Sequence, residues 1–153
     1  MKNQKGFSLL EVLIAIAVFA IGILAVGNMQ ITSIEGNSFS SGLTEAATIA
    51  QSKIEKLMNV YYDDPQLLDQ NGDGTNQDTN GDGTDDVGPD FCFGLNNTGQ
   101  NADQTDSLGR YNLYWNIAID YPINGTKTIR VIVQWNEKGR QKQVAFTTTR
   151  TNI

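Results

Sequence analysis

The chain of 153 residues contains no histidine and a single cysteine, Cys92. Without histidine there is no imidazole to serve as a general base, and the sequence has neither a G-x-S-x-G elbow nor a phosphate-binding glycine loop. Its abundant carboxylates are accounted for by metal binding, so no enzyme is expected. A lone thiol excludes an intramolecular disulfide. Within Phe91-Cys92-Phe93 it reads as a buried free thiol, with an intersubunit bridge or a modification as alternatives. Lys and Arg are missing from residues 61–109, which hold eleven Asp. Residues 1–60 balance four Lys against four acids, and residues 110–153 carry seven basic groups against two acids, so the net charge of −6 conceals a sharp partition. The acidic block excludes general nucleic-acid binding for that region and points to disorder or bound cations.

Long apolar runs are also absent, with one exception. Phe7 to Val26 is a stretch of twenty residues with one charge, Glu11. As a helix it covers about 30 Å, the hydrocarbon thickness of a bilayer. Lys2 and Lys5 precede it, which keeps that flank cytoplasmic and exports the rest. A secretory signal would be discarded after a small-x-small site, and Ala15, Ala17, Ala20 and Ala25 could imitate one. Glu11 argues against that reading. A carboxylate in a spanning helix costs about 2.5–3.5 kcal/mol at the bilayer centre and needs a cationic partner. If the chain is cut between Gly6 and Phe7, the new α-amino group lies one helical turn from Glu11, on the same subunit or on a neighbour.

The run Lys5-Gly6-Phe7-Ser8-Leu9-Leu10-Glu11-Val12-Leu13 resembles the prepilin signature of type IV pilins and type II secretion pseudopilins. The resemblance implies that a membrane aspartyl peptidase cuts after Gly6, that Phe7 becomes the methylated amino terminus, and that the apolar segment stays in the mature protein. It implies a further role for Glu11, pairing with the Phe7 amine of a neighbouring subunit during assembly. The implied partners are other pilin subunits, the prepilin peptidase and the inner membrane. The implied location is the inner membrane, single-pass with the C-terminal domain outside the cytoplasm, and then the cell surface, or the periplasm for a pseudopilin.

From Asn28 to about Tyr61 the sequence stays compatible with helix, although Gly36, Asn37, Ser38, Ser40, Ser41 and Gly42 weaken its middle. Leu43, Ala46, Ala47, Ala50, Ile54, Leu57 and Tyr61 recur at helical spacing as one apolar stripe. Asp63-Asp64-Pro65 ends the segment, because the residue before proline is pushed out of the α region. A continuous helix over 7–61 would be about 80 Å long. Farther on, Tyr111, Leu113, Trp115, Ile117 and Ile119 alternate with Asn112, Tyr114, Asn116, Ala118 and Asp120, the period of a half-buried strand. Asn124-Gly125 signals a tight turn. Ile129, Val131, Val133 and Trp135 then alternate in a second strand, and Val144, Phe146 and Thr148 in a third after Glu137-Lys138-Gly139. Burying the helix stripe against one face of this meander gives an α+β fold, a long N-terminal helix on an antiparallel sheet of about three strands. Pilins have the same order of elements. The Tyr-x-Leu-x-Trp and Ile-x-Val-x-Val-x-Trp strands are similar to the PilV minor-pilin subgroup and to pseudopilin I of type II secretion. Major pilins commonly carry a paired-cysteine loop, which this chain lacks.

Between helix and sheet lie two copies of D-x-N-G-D-G-T, offset by nine residues. Ca²⁺ takes six to eight oxygen ligands, and alternate side chains on a glycine-turned backbone can supply them. The first copy offers Asp69, Asn71, Asp73 and the Thr75 carbonyl. The second offers Asp78, Asn80, Asp82 and the Thr84 carbonyl, closed by Asp86, with Asp78 available to both. The pattern is similar to the first half of an EF-hand loop, but Asn80 and Pro89 stand where that loop has its bidentate glutamate. A structural Ca²⁺ is expected; Mg²⁺ needs stricter geometry. Asn96-Asn97-Thr98 matches a glycosylation sequon, here read as loop composition. The expected organisation is a leader (1–6), a membrane and filament-core helix (7–29), an amphipathic helix (30–62), an acidic loop region (63–109) and the sheet (110–153). The function expected is that of a minor pilin subunit. A type II secretion pseudopilin is the nearer alternative, and a membrane-anchored calcium-dependent binding module that never polymerises is the more distant one.

Overall fold

A computed structural model describes residues 8–74 and 93–152. The chain divides into two compact units, Met1–Ser41 and Gly42–Ile153. One helix, α1 (Leu9–Asn59), begins in the first unit and ends in the second.

In the first unit the apolar residues of α1 face outward. Leu10, Leu13, Val18, Phe19, Ile21, Leu24, Met29 and Ile34 are all exposed. A helical surface this apolar has lipid or other helices as its proper surroundings. α1 is long and apolar enough to cross a membrane.

The second unit is built on the four-stranded antiparallel sheet β1 (Gln104–Leu108), β2 (Tyr111–Ile119), β3 (Thr126–Glu137) and β4 (Arg140–Thr151), in that order across the sheet. Glu137 pairs with Arg140 across a two-residue turn in which Lys138 and Gly139 both have positive φ, 52° and 76°. That geometry matches the twist of the flanking strands and is best served by a glycine. The α1 stripe Ala46, Ala50 and Leu57 packs with Tyr111, Leu113, Trp115, Ile117, Ile129, Val131, Val133 and Trp135 into one core. The weak middle of the helix has a packing reason at one position. A Cβ on Gly42 would stand 3.3 Å from Trp135 Nε1, so glycine is what lets helix and sheet approach there.

Three expectations are corrected. The sheet has four strands, because Gln104-Thr105-Asp106-Ser107-Leu108 forms an edge strand within the segment read as loop. Almost all of it is exposed, so it carries no alternation of burial to reveal it. The helix ends at Asn59, and Tyr61 lies outside the stripe at 88% exposure. β2 is buried on both faces over its centre, Tyr114, Asn116 and Ala118 included. The segment after residue 93 covers its outer face, and the Asn116 amide donates to the carbonyls of Leu95 and Asn97.

Candidate functional sites

β1 pairs with β2 only from Tyr111 to Trp115. Beyond that point the N–H groups on the edge of β2 need other acceptors. Ile117 N donates to Asp103 Oδ2 at 2.7 Å and Ile119 N donates to the Gly74 carbonyl at 2.7 Å. The first acidic repeat is thereby docked on the sheet. A Cβ on Gly74 would fall 1.9 Å from the Ile117 carbonyl oxygen, so only glycine allows this approach.

The docking gathers three carboxylates. Asp69, Asp73 and Asp103 each offer an oxygen within 4.8 Å of the others. Asp69 Oδ1 accepts from Gly72 N and Oδ2 from Gly74 N, which folds the repeat back on its first residue. Asp103 is 5% exposed, and its Oδ1 accepts from Gln70 N at 3.0 Å and Asn71 N at 3.4 Å. Asp73 accepts a short hydrogen bond from the Asn97 amide. Burial, and then the Asp69 charge, pushes the Asp73 carboxyl above its ordinary range. Burial is likewise the main cause pushing Asp103 up to about 6, with Asp69 adding to it, against the lowering effect of the N–H donors. Among the described residues, no Lys or Arg is a cause of the Asp73 or Asp103 shift. Three carboxylate oxygens held this close form a group that could hold a metal ion.

Asp69 and Asp73 of the first repeat lie together. Asn71 is beside them, but its Nδ2 donates to Asp73 Oδ2 and to the Asn101 carbonyl. Asp103, missed by sequence reasoning, stands where the unpaired edge of β2 calls for an acceptor; only the register of β1 on β2 reveals that. Thr75, Asp78, Asn80, Asp82, Thr84, Asp86 and Cys92 lie outside the described residues, as do Gly6 and Phe7.

Glu11 sits in the first turn of α1 among exposed Leu9, Leu10, Val12 and Leu13, and it lines a shallow groove with Val12, Ala15, Ile16 and Phe19. One turn farther, Gly22 and Gly27 cut a second notch, and a Cβ at either would meet nothing. Glu11 is the one charged residue of the apolar stretch of α1 up to Val26.

Comparison with known families bears on this end of the chain. Residues 1–27 match the prokaryotic N-terminal methylation motif. The chain carries the type IV prepilin signature. The motif supports a type IV pilin-like protein. Together with the apolar helix it fits a single-pass inner-membrane protein. No curated protein and no solved structure matches the chain.

Proposed function

We propose that the chain is a minor pilin, a structural subunit rather than an enzyme. In this reading it is cut between Gly6 and Phe7, methylated on Phe7 and drawn from the inner membrane into a type IV filament. The observation that carries the reading is the methylation motif on residues 1–27, which runs into the helix α1, whose apolar stretch up to Val26 holds one carboxylate, Glu11. Glu11 draws the Phe7 amine of the adjoining subunit, and this attraction sets the axial register, because an ion pair is worth far more in an apolar bundle than in water. The exposed apolar stretch of α1 exchanges lipid for neighbouring helices. The sheet unit lies on the outside.

Ca²⁺ is the second part of the proposal. Asp69 and Asp73 hold it from the repeat and Asp103 from the sheet, so that the ion fastens the acidic segment to the edge of β2. Oxygens of Asn71 and Thr75 complete this site, and Asp78, Asn80, Asp82, Thr84 and Asp86 serve the second repeat. The support is the coincidence of the D-x-N-G-D-G spacing with three convergent carboxylates, one of them, Asp103, recruited from well past the first repeat. Bound Ca²⁺ supplies the positive charge that the cluster lacks.

Glu11→Ala tests the assembly mechanism. Cleavage after Gly6 should continue while the variant disappears from sheared filaments and accumulates in the membrane. Undiminished incorporation would rule out the register role. Recovery of both forms only from the periplasmic side of the envelope, never from surface filaments, would favour a secretion pseudopilus.

A further inference from the structure

A cleft of about 690 Å³ opens between the end of α1 and the tail of β4. Its volume falls within the range of ligand pockets, about 300–1,000 Å³. Neither Glu11 nor any residue of the cation cluster lines it. Tyr61 belongs to its lining, and the turn that bonds Asp64 N to the Tyr61 carbonyl leaves the ring 88% exposed. Tyr62 stands next to it with Lys127 Nζ 4.4 Å from its ring centre. On the opposite wall Arg150 Nη1 donates to the Leu57 carbonyl at 3.0 Å, which pins the guanidinium at the cleft. Asp63, Thr151 and Asn152 also belong to the lining, and the Asp63 charge acts on both Lys127 and Tyr62.

The lining of the cleft thus combines an exposed aromatic residue with a carboxylate, a guanidinium held by a carbonyl, a hydroxyl and an amide. Both signs of charge are present, which disfavours a strongly ionic ligand. The apolar lining besides the tyrosines is confined to Met58 and Val60, too little for the side-chain pockets that a docked peptide strand requires. A pyranose ring fits the remainder. Its C–H face stacks on an aromatic surface, and its hydroxyls donate to carboxylate and amide oxygens while accepting from guanidinium and hydroxyl groups. We propose that this cleft binds a neutral saccharide, with Tyr61 as the stacking platform and Asp63, Arg150 and Asn152 as its hydroxyl partners. The inference stands apart from the assembly reading and holds for a polymerised or an unpolymerised chain.

The test uses the full chain in dodecylphosphocholine micelles, because maltoside and glucoside detergents would present a competing sugar. Saturation-transfer NMR is run with cellobiose, lactose and chitobiose in turn. At least one should receive magnetisation from the protein. Tyr61→Ala should weaken its binding about tenfold or more, the equivalent of about 1.4 kcal/mol, whereas Tyr61→Phe, which keeps the ring face, should stay near wild type. Unchanged fluorescence of the core residues Trp115 and Trp135 checks that the variants are folded. No transfer to any of the three sugars, or equal transfer in Tyr61→Ala, would overturn the proposal. It also fails if the sugars do not bind and Tyr61→Ala instead lowers self-association of the chain, which would make the cleft a contact between copies.

Discussion

Replacing Asp103 by asparagine separates two roles of one carboxylate. It accepts main-chain hydrogen bonds on both oxygens, from Gln70 and Asn71 on one side and from Ile117 on the other. An asparagine has one oxygen, so its NH₂ must face a main-chain N–H on one of those sides, at a cost of about 1–3 kcal/mol. Removing a buried, poorly compensated charge offsets much of that. In EGTA at pH 7 the variant should therefore melt within a few degrees of wild type. In calcium the two should part. At a hundredfold excess over Kd, binding to the folded state adds about 2.7 kcal/mol. For a unit of this size that is about 10 °C in Tm, at about 4 °C per kcal/mol. Wild type should gain it and Asp103→Asn should lose most of it, followed by Trp115 and Trp135 fluorescence. The pH dependence gives a second readout. The Asp103 carboxyl is raised to about 6 in the folded chain, against about 3.9 when unfolded. Between these values the folded state binds a proton that the unfolded state does not. In EGTA, stability should therefore fall as pH rises from about 4 to about 6, by about 2 kcal/mol. In calcium the slope should reverse, since the ion binds the deprotonated carboxylates. A wild-type Tm indifferent to millimolar calcium, or an equal gain in Asp103→Asn, would refute the reasoning.

Other perturbations probe the frame around that site. Leu57→Ala removes a fully buried side chain from the helix–sheet core and should cost about 2–5 kcal/mol in chemical denaturation. A loss below 1 kcal/mol would mean that the stripe is not packed as described. Gly74→Ala places a Cβ against the Ile117 carbonyl and should free the Ile119 N–H from its acceptor. Faster hydrogen exchange at Ile119 and a smaller calcium response are the expected signs, and exchange at the wild-type rate would contradict the docking.

What was legible in the sequence is what nature itself reads locally. The leader, Gly6, Phe7 and Glu11 form one contiguous pattern ahead of an apolar run, and the family match falls on it. β2, β3 and β4 announced themselves because one face of each meets the helix, so apolar residues alternate. β1 did not, being a polar edge strand with nothing to bury. Asp103 was illegible for a different reason. Its place follows from how far β1 extends along β2, a long-range register that no local spacing records. Tyr61 fitted the helical period, but the helix stops two residues short of it, and the Asp63-Asp64-Pro65 signal marked the boundary without fixing the turn that exposes the ring.

The most direct test of the central claim is the intact mass and N-terminal sequence of the chain recovered from sheared surface filaments. The account predicts a chain that begins at N-methylated Phe7 and retains the whole apolar helix. A chain beginning at Met1, or after Ala20 or Ala25, or one that never enters the sheared fraction, would contradict it.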